Sequence, residues 1–256
     1  MPPVSTTIDL NADLGETTAG NPVADDAAML GMVSSANVAT GFHAGDPHTI
    51  AATLAAAAEH GVSVGAHIAY HDPAAFGRRF VDYEPGMLAS ETLYQIGALD
   101  ALARAQGLQV RYVKPHGALY NAIVHHEAQA KAVIDGIKAF DRDLPVMLLP
   151  GGVACDIAER AGLRVIREAF ADRGYNPDGT LVSRREPNAV MHDPEQVAQR
   201  VLQVAATGSV TAIDGTEVQV QAESVCVHGD SPGSVELTRS VVERLGQSGI
   251  TIASFL

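Results

Sequence analysis

The stretch DPHTIAATLAAAAEHGVSVGAHIAYHD, residues 46–72, decides the fold. Asp46 is a helix cap and Pro47 is tolerated in the first helical turn. The alanine-rich run to His60 continues the helix, and Gly61 sits where it should stop. Val62–Gly65 then reads as a short buried strand, and His67, His71 and Asp72 follow it. Helix, glycine, strand and a cluster of reactive side chains make one unit of a parallel α/β fold.

The same unit recurs in both directions. Strand-like runs lie at Ile8–Leu10, Ala36–Thr40, Val62–Gly65, Val110–Val113, Val146–Leu149, Arg164–Glu168 and Ser224–Val227. Helical stretches lie at 47–60, 90–106, 126–139, 152–161, 194–206 and 232–246, with Gly107 and Gly162 as further stops. This alternation predicts parallel strands joined by right-handed crossovers. One segment breaks the rhythm: residues 209–222 carry Asp214-Gly215 between two alternating runs, a hairpin signal placed outside the main sheet. No linker or fixed-period repeat divides the chain, so one barrel domain over residues 1–256 is expected.

The polar residues follow the strands. Asn11, Asp13 and Glu16 come after the first, His43 and Asp46 after the second, and His67, His71 and Asp72 after the third. Lys114 and His116 follow the fourth, Asp172 and Arg173 the sixth, and His228 and Asp230 the seventh. In a parallel barrel every strand ends on one face, where active sites lie. Side chains far apart in sequence are therefore expected in one mouth; the plainer alternative is a set of solvated loop polars.

Composition removes several classes. A formal charge of −13, from 30 acidic and 17 basic residues, repels phosphate backbones and argues against nucleic acid. No apolar run approaches the roughly 20 residues that span a bilayer, and MPPVSTTIDLNADLGE lacks the layout of a signal peptide. Cys155 and Cys226 are too few for a disulfide framework. A cytoplasmic protein without a membrane partner is expected. There is no phosphate loop and no H-E-x-x-H; Gly61–Gly65 matches G-x-S-x-G, but Ser63 enters a strand after a helix, the wrong context for a nucleophile elbow.

Six segments resemble one family: DLNADLGE (9–16), ANVATGFHAGDP (36–47), GAHIAYHDPAAFGRR (65–79), VKPHGALYN (113–121), EAFADRGY (168–175) and VCVHGD (225–230). They are similar to the LamB/YcsF family, whose members are the A subunits of bacterial 5-oxoprolinase. The resemblance implies an irregular TIM-like (β/α) barrel of about seven parallel strands, akin to the glycoside hydrolase/deacetylase superfamily. It also implies opening of the 5-oxoproline lactam to L-glutamate, with ATP handled together with partner subunits B and C. Ala12 and Ala39-Thr40 depart from the family's cysteine-containing versions, which leaves no nucleophilic cysteine there. His71 stands where the family has proline and is a poor candidate for a shared catalytic part.

Roles can be assigned to residue types. Asp13 is a candidate general base, or else a turn former beside Gly15. Lys114 and His116, held by Pro115, suit an oxyanion and a leaving nitrogen; the plain alternative is a lysine capping helix carbonyls. His43 and His67 complete the catalytic candidates. Asn11, Glu16, Arg78, Arg79, Asp172, Arg173, His228 and Asp230 are substrate-binding candidates, with Arg78-Arg79 suited to a carboxylate or phosphate. Asp172-Arg173 could instead pair internally, and Asp230 could orient His228. Asp13, His43 and His67 are candidates for a divalent metal. Two rival readings stand beside the lactam hydrolase: a metal-dependent deacetylase or other C–N hydrolase, and a non-catalytic small-acid-binding subunit.

Overall fold

The computed structural model describes residues 7–187, 189–229 and 233–256. Seven parallel strands close into a barrel: β1 (Thr7–Leu14), β2 (Ser35–Ala39), β3 (Ser63–Ile68), β4 (Tyr112–Pro115), β5 (Val146–Leu148), β6 (Val165–Phe170) and β7 (Ser224–Cys226). Each strand pairs with its successor, and β7 returns to β1 through the register Asp9–Ser224, Leu10–Val225 and Asn11–Cys226. The two-residue strand Thr251–Ile252 adds to Thr7 and Ile8 of β1. The crossovers carry α1 (Pro47–His60), α2 (Pro85–Ala105), α3 (Glu127–Phe140), α4 (Val153–Arg160) and α5 (Pro194–Thr207); α6 (Ser234–Gln247) follows β7.

Local chemistry sets the boundaries. Asp46 caps α1 by accepting from the backbone N–H groups of His48 and Thr49 at 2.9 and 3.1 Å, and Gly61 ends it in the left-handed region. Helix α2 starts at Pro85, not near 90, because Glu84 accepts from Met87 N–H at 2.9 Å and proline takes the first turn. The predicted hairpin is present: Ser209–Thr211 and Glu217–Gln219 form a separate antiparallel pair, with Asp214 accepting from Thr216 N–H in the turn.

The strands run further than their apolar runs. β1 reaches Leu14, β3 Ile68, β4 Pro115 and β6 Phe170. Asn11, Asp13, His67 and Lys114 are therefore strand residues rather than loop residues. Alternation explains the difference. Side chains two apart share a face, so Asp9, Asn11 and Asp13 enter the barrel while Leu10, Ala12 and Leu14 lie fully buried in the main apolar core. The barrel interior itself is layered. Tyr112, Met147 and Ile166 form a small apolar cluster with Phe255 packed against it. Gly65 makes room for it, since a Cβ there would lie 2.2 Å from the Tyr112 ring.

Candidate active site

A continuous polar column occupies the barrel interior. Asp9 accepts from Ser34 and Ser35 hydroxyls at 2.7 and 2.6 Å, and also from Ser224. Burial, partly offset by those hydroxyls, pushes its carboxyl up to about 6. Asn11 donates to Ser224 Oγ at 2.7 Å and accepts from Asn37 at 2.7 Å; Tyr112 O–H donates to Asn37 Oδ1 at 2.7 Å. Lys114 Nζ donates to Asn11 Oδ1 and Asp13 Oδ1, both at 3.1 Å, and to Cys226 Sγ at 3.2 Å. The same ammonium lies 2.7 Å from Glu168 Oε1. Burial works against its charge, but Asp13 and Glu168 hold its pKa well above the ordinary lysine value.

Asp13 joins this column to a histidine layer. Its Oδ1 also accepts from Asn37 at 2.8 Å, and its Oδ2 lies 3.2 Å from His67 Nε2. Burial opposes ionisation, yet His67 and Lys114 outweigh it and keep the carboxyl well below the usual range. His67 Nδ1 meets the carbonyl of Lys114 at 3.1 Å, and His116 Nε2 meets the carbonyl of Phe76 at 2.9 Å. A carbonyl only accepts, so both rings donate there. Their other nitrogens, His67 Nε2 and His116 Nδ1, then face each other at 2.9 Å. Two lone pairs cannot stay in that contact; a shared proton or a cation must bridge them. Glu16 Oε1 borders the same point, 3.6 Å from His116 Nδ1 and 3.9 Å from His67 Nε2, and lies 2.8 Å from His43 Nε2. Burial and the neighbouring histidines hold His43 and His116 well below the ordinary histidine value.

Above this layer opens a cavity of about 620 Å³, lined by Asp13, Glu16, His67, Lys114, His116 and His228 among others. His228 Nδ1 lies 2.7 Å from Asp172 Oδ1. Burial would lower the His228 pKa, but Asp172 raises it above the ordinary value; burial would raise that of Asp172, but His228 lowers it.

The predicted convergence at the strand ends is therefore present, with corrections inside it. Arg78 lines the cavity, whereas Arg79 is 68% exposed and ion-paired with Asp72, because consecutive side chains point apart. His43 is fully buried behind His116, its ring stacked at 3.8 Å, and does not line the cavity. Asn11 sits below the cavity as a link in the column, and Asp172 sits behind His228. Asp172 and Arg173 do not pair: Arg173 donates to the carbonyls of Ala189 and Val182 at 3.2 and 2.6 Å. Asp172 orients His228; Asp230, the residue expected in that role, lies outside the described residues. Of the metal candidates, His43 and His67 cluster with Glu16 and His116, each offering one ligand atom within 4.8 Å of the others, while Asp13 groups instead with Cys226 and His228. Asp9, Asn37, Glu168, Arg184 and Arg185 escape the sequence reading; for Asp9 the two-residue spacing to Asn11 and Asp13 was the available signal.

Known proteins are similar to nearly the whole of this chain. A Corynebacterium jeikeium (strain K411) protein named as the A subunit of 5-oxoprolinase is 70% identical over 252 residues, covering 98% of each chain. A Kocuria rhizophila protein of the same name is 58% identical, covering 98% of this chain and 99% of the relative. The crystal structure of a lactam utilization protein from Thermus thermophilus superposes with a TM-score of 0.93 at 42% identity, covering 97% of this chain and all of that one. No described helix is long and apolar enough to cross a membrane. The LamB/YcsF family pattern matches residues 8–256, and the chain belongs to that family.

Proposed function

We propose that this chain is the A subunit of a 5-oxoprolinase and opens the lactam of 5-oxoproline once ATP-using partner subunits, B and C, have activated it. The observation that carries this reading is the Asp13 carboxylate, held ionised between Lys114 and His67 at the floor of the cavity. The name borne by relatives at 58–70% identity supports the substrate. Asp13 orients a water and takes its proton as the oxygen–carbon bond forms. The ring C–N bond then breaks, the proton taken by Asp13 passes through His67, 3.2 Å away, to the nitrogen, and a second water releases the activating phosphoryl group as phosphate. A carboxylate kept so acidic is a weak base, since base strength follows pKa. It suits an electrophile already activated elsewhere better than a bare amide. Lys114 spends its charge on Asp13 and Glu168, so its role here is to keep Asp13 ionised rather than to meet the oxyanion.

Glutamate release from 5-oxoproline with ATP, measured for the chain alone and with subunits B and C, tests the reading. Activity is expected only in the mixture and should be abolished by Asp13→Asn with the circular dichroism spectrum unchanged. An Asp13→Asn mixture of full activity removes Asp13 from the mechanism.

A second reading, metal-dependent C–N hydrolysis, is favoured by the facing nitrogens of His67 and His116. Their far nitrogens are fixed by backbone carbonyls, as in many metal-binding histidines. Glu16, His43, His67 and His116 form a nitrogen–oxygen donor set that suits zinc. A divalent ion held there would polarise a carbonyl or a water. Stoichiometric zinc by elemental analysis, lost in Glu16→Gln, would favour this reading; a metal-free chain that turns over in the mixture would exclude it.

A further inference from the structure

The cavity is basic although the chain is strongly acidic. With a formal charge of −13, it still lines this cavity with Arg78, Arg173, Arg184 and Arg185. Among the described residues, the acids lining that cavity are engaged: Asp13 with Lys114 and His67, Glu16 with His43. Arg173 is only 6% exposed, and its hydrogen-bond partners are carbonyls, which take two of its five N–H groups and bring no charge. Those carbonyls, from Val182 and Ala189, flank Arg184 and Arg185 in sequence, so Arg173 fastens the segment that carries them. Arg184 Nη2 lies 3.4 Å from His228 Nε2, and the Asp172 carboxylate is taken by the other face of the same imidazole. Among the described residues, neither Arg184 nor Arg185 has a carboxylate within ion-pair distance. Burial, and then the neighbouring Arg184, push Arg173 down to about 10, and the Asp172 carboxylate offsets them only in part.

We propose that Arg173, Arg184 and Arg185, with His228, form a subsite for a doubly charged oxyanion, the phosphoryl group of an activated substrate. The inference rests on the reading that an activated lactam is opened in this cavity. Guanidinium forks match phosphate oxygens in pairs, and several cations are better balanced by a dianion than by one carboxylate. Position fits as well: a ring nitrogen of His228 lies within 4.8 Å of an Asp13 carboxylate oxygen, so the anion would sit beside the water-activating group. A cavity of about 620 Å³ holds ligands of drug size, much larger than a free five-membered lactam acid.

Calorimetric titration of the full chain with inorganic phosphate, and separately with acetate, tests this. One phosphate per chain is expected, binding more tightly than acetate. Arg184→Gln and Arg185→Gln should each weaken it, by roughly tenfold or more for loss of a charge-assisted contact. Arg164→Gln, an exposed arginine paired with Glu223 outside the cavity, is the control and should leave binding unchanged. Absence of binding at millimolar phosphate overturns the proposal, as does equal binding by both variants and the wild type. Acetate binding as tight as phosphate overturns the phosphoryl assignment and gives the subsite to a carboxylate. The titration uses neither lactam nor partner subunits, so failure of the lactam-opening reading shows separately, as silence in the glutamate assay.

Discussion

Replacing Lys114 with methionine keeps the side chain's length and removes its charge. Lys114 is 2% exposed and lies 2.7 Å from Glu168 and 3.1 Å from Asp13. Asp13 retains Asn37 and His67 in the variant. Glu168, fully buried, loses its one cation among the described residues and is the group left stranded. Breaking a buried pair from one side costs roughly 3–5 kcal/mol. Lys114→Met should therefore destabilise the chain by about 4 kcal/mol, the middle of that range. Urea unfolding of wild type and variant measures this. Removing the stranded charge as well, in Lys114→Met/Glu168→Gln, should recover most of the loss, so the two substitutions should be far from additive. A penalty under about 1 kcal/mol for Lys114→Met, or a double variant as unstable as the sum of the two single ones, would refute the reasoning.

Three further outcomes are expected. Asp9, raised from 3.8 to about 6 by burial, holds its proton in the folded state over that range; it stabilises fully below 3.8 and the contribution is lost as pH rises through 6, by about 3 kcal/mol, so urea unfolding of Asp9→Asn should show a flatter pH slope between 4 and 6. Asp172 is lowered below 3.8 and His228 raised above 6.5, so their pairing stabilises fully between those values and fades on either side; Asp172→Asn should cost most near pH 5–6 and should lower the His228 midpoint in an NMR titration. Gly65→Ala puts a Cβ 2.2 Å from the Tyr112 ring, and the overpacking should cost about 1–3 kcal/mol, read as a lower melting temperature.

The strand count and the hairpin were legible because each rests on local chemistry: short apolar runs, alanine-rich helices, glycine stops and Asp214-Gly215. The strand ends were not, and for one reason. Polarity after an apolar run was read as loop, but in a closed barrel the inward face of a strand can be polar when its neighbours across the barrel are polar too. Whether Asp13 meets Lys114 or Glu168 meets Lys114 depends on register between strands about 50–100 residues apart, which no window of sequence contains. The same limit explains Arg78 and Arg79: adjacent guanidiniums look alike in sequence, and only the backbone direction sends one to the cavity and the other to Asp72. Arg184 and Arg185 carry no periodic signal, and Arg173 in another loop brings their segment to the mouth.

The polar column also means that catalysis and stability cannot be assigned to different residues in this barrel. Lys114 keeps Asp13 ionised and at the same time neutralises Glu168. A loss of turnover in a Lys114 variant therefore says little about chemistry unless folding is measured beside it. Asp13→Asn differs. It keeps the size of the side chain, and one oxygen remains to accept from Asn37 and Lys114, whose charge is still met by Glu168. What it removes is the basic oxygen facing His67 and the cavity. Of the substitutions in the column, it is the one in which loss of activity with an intact fold can be attributed to proton transfer.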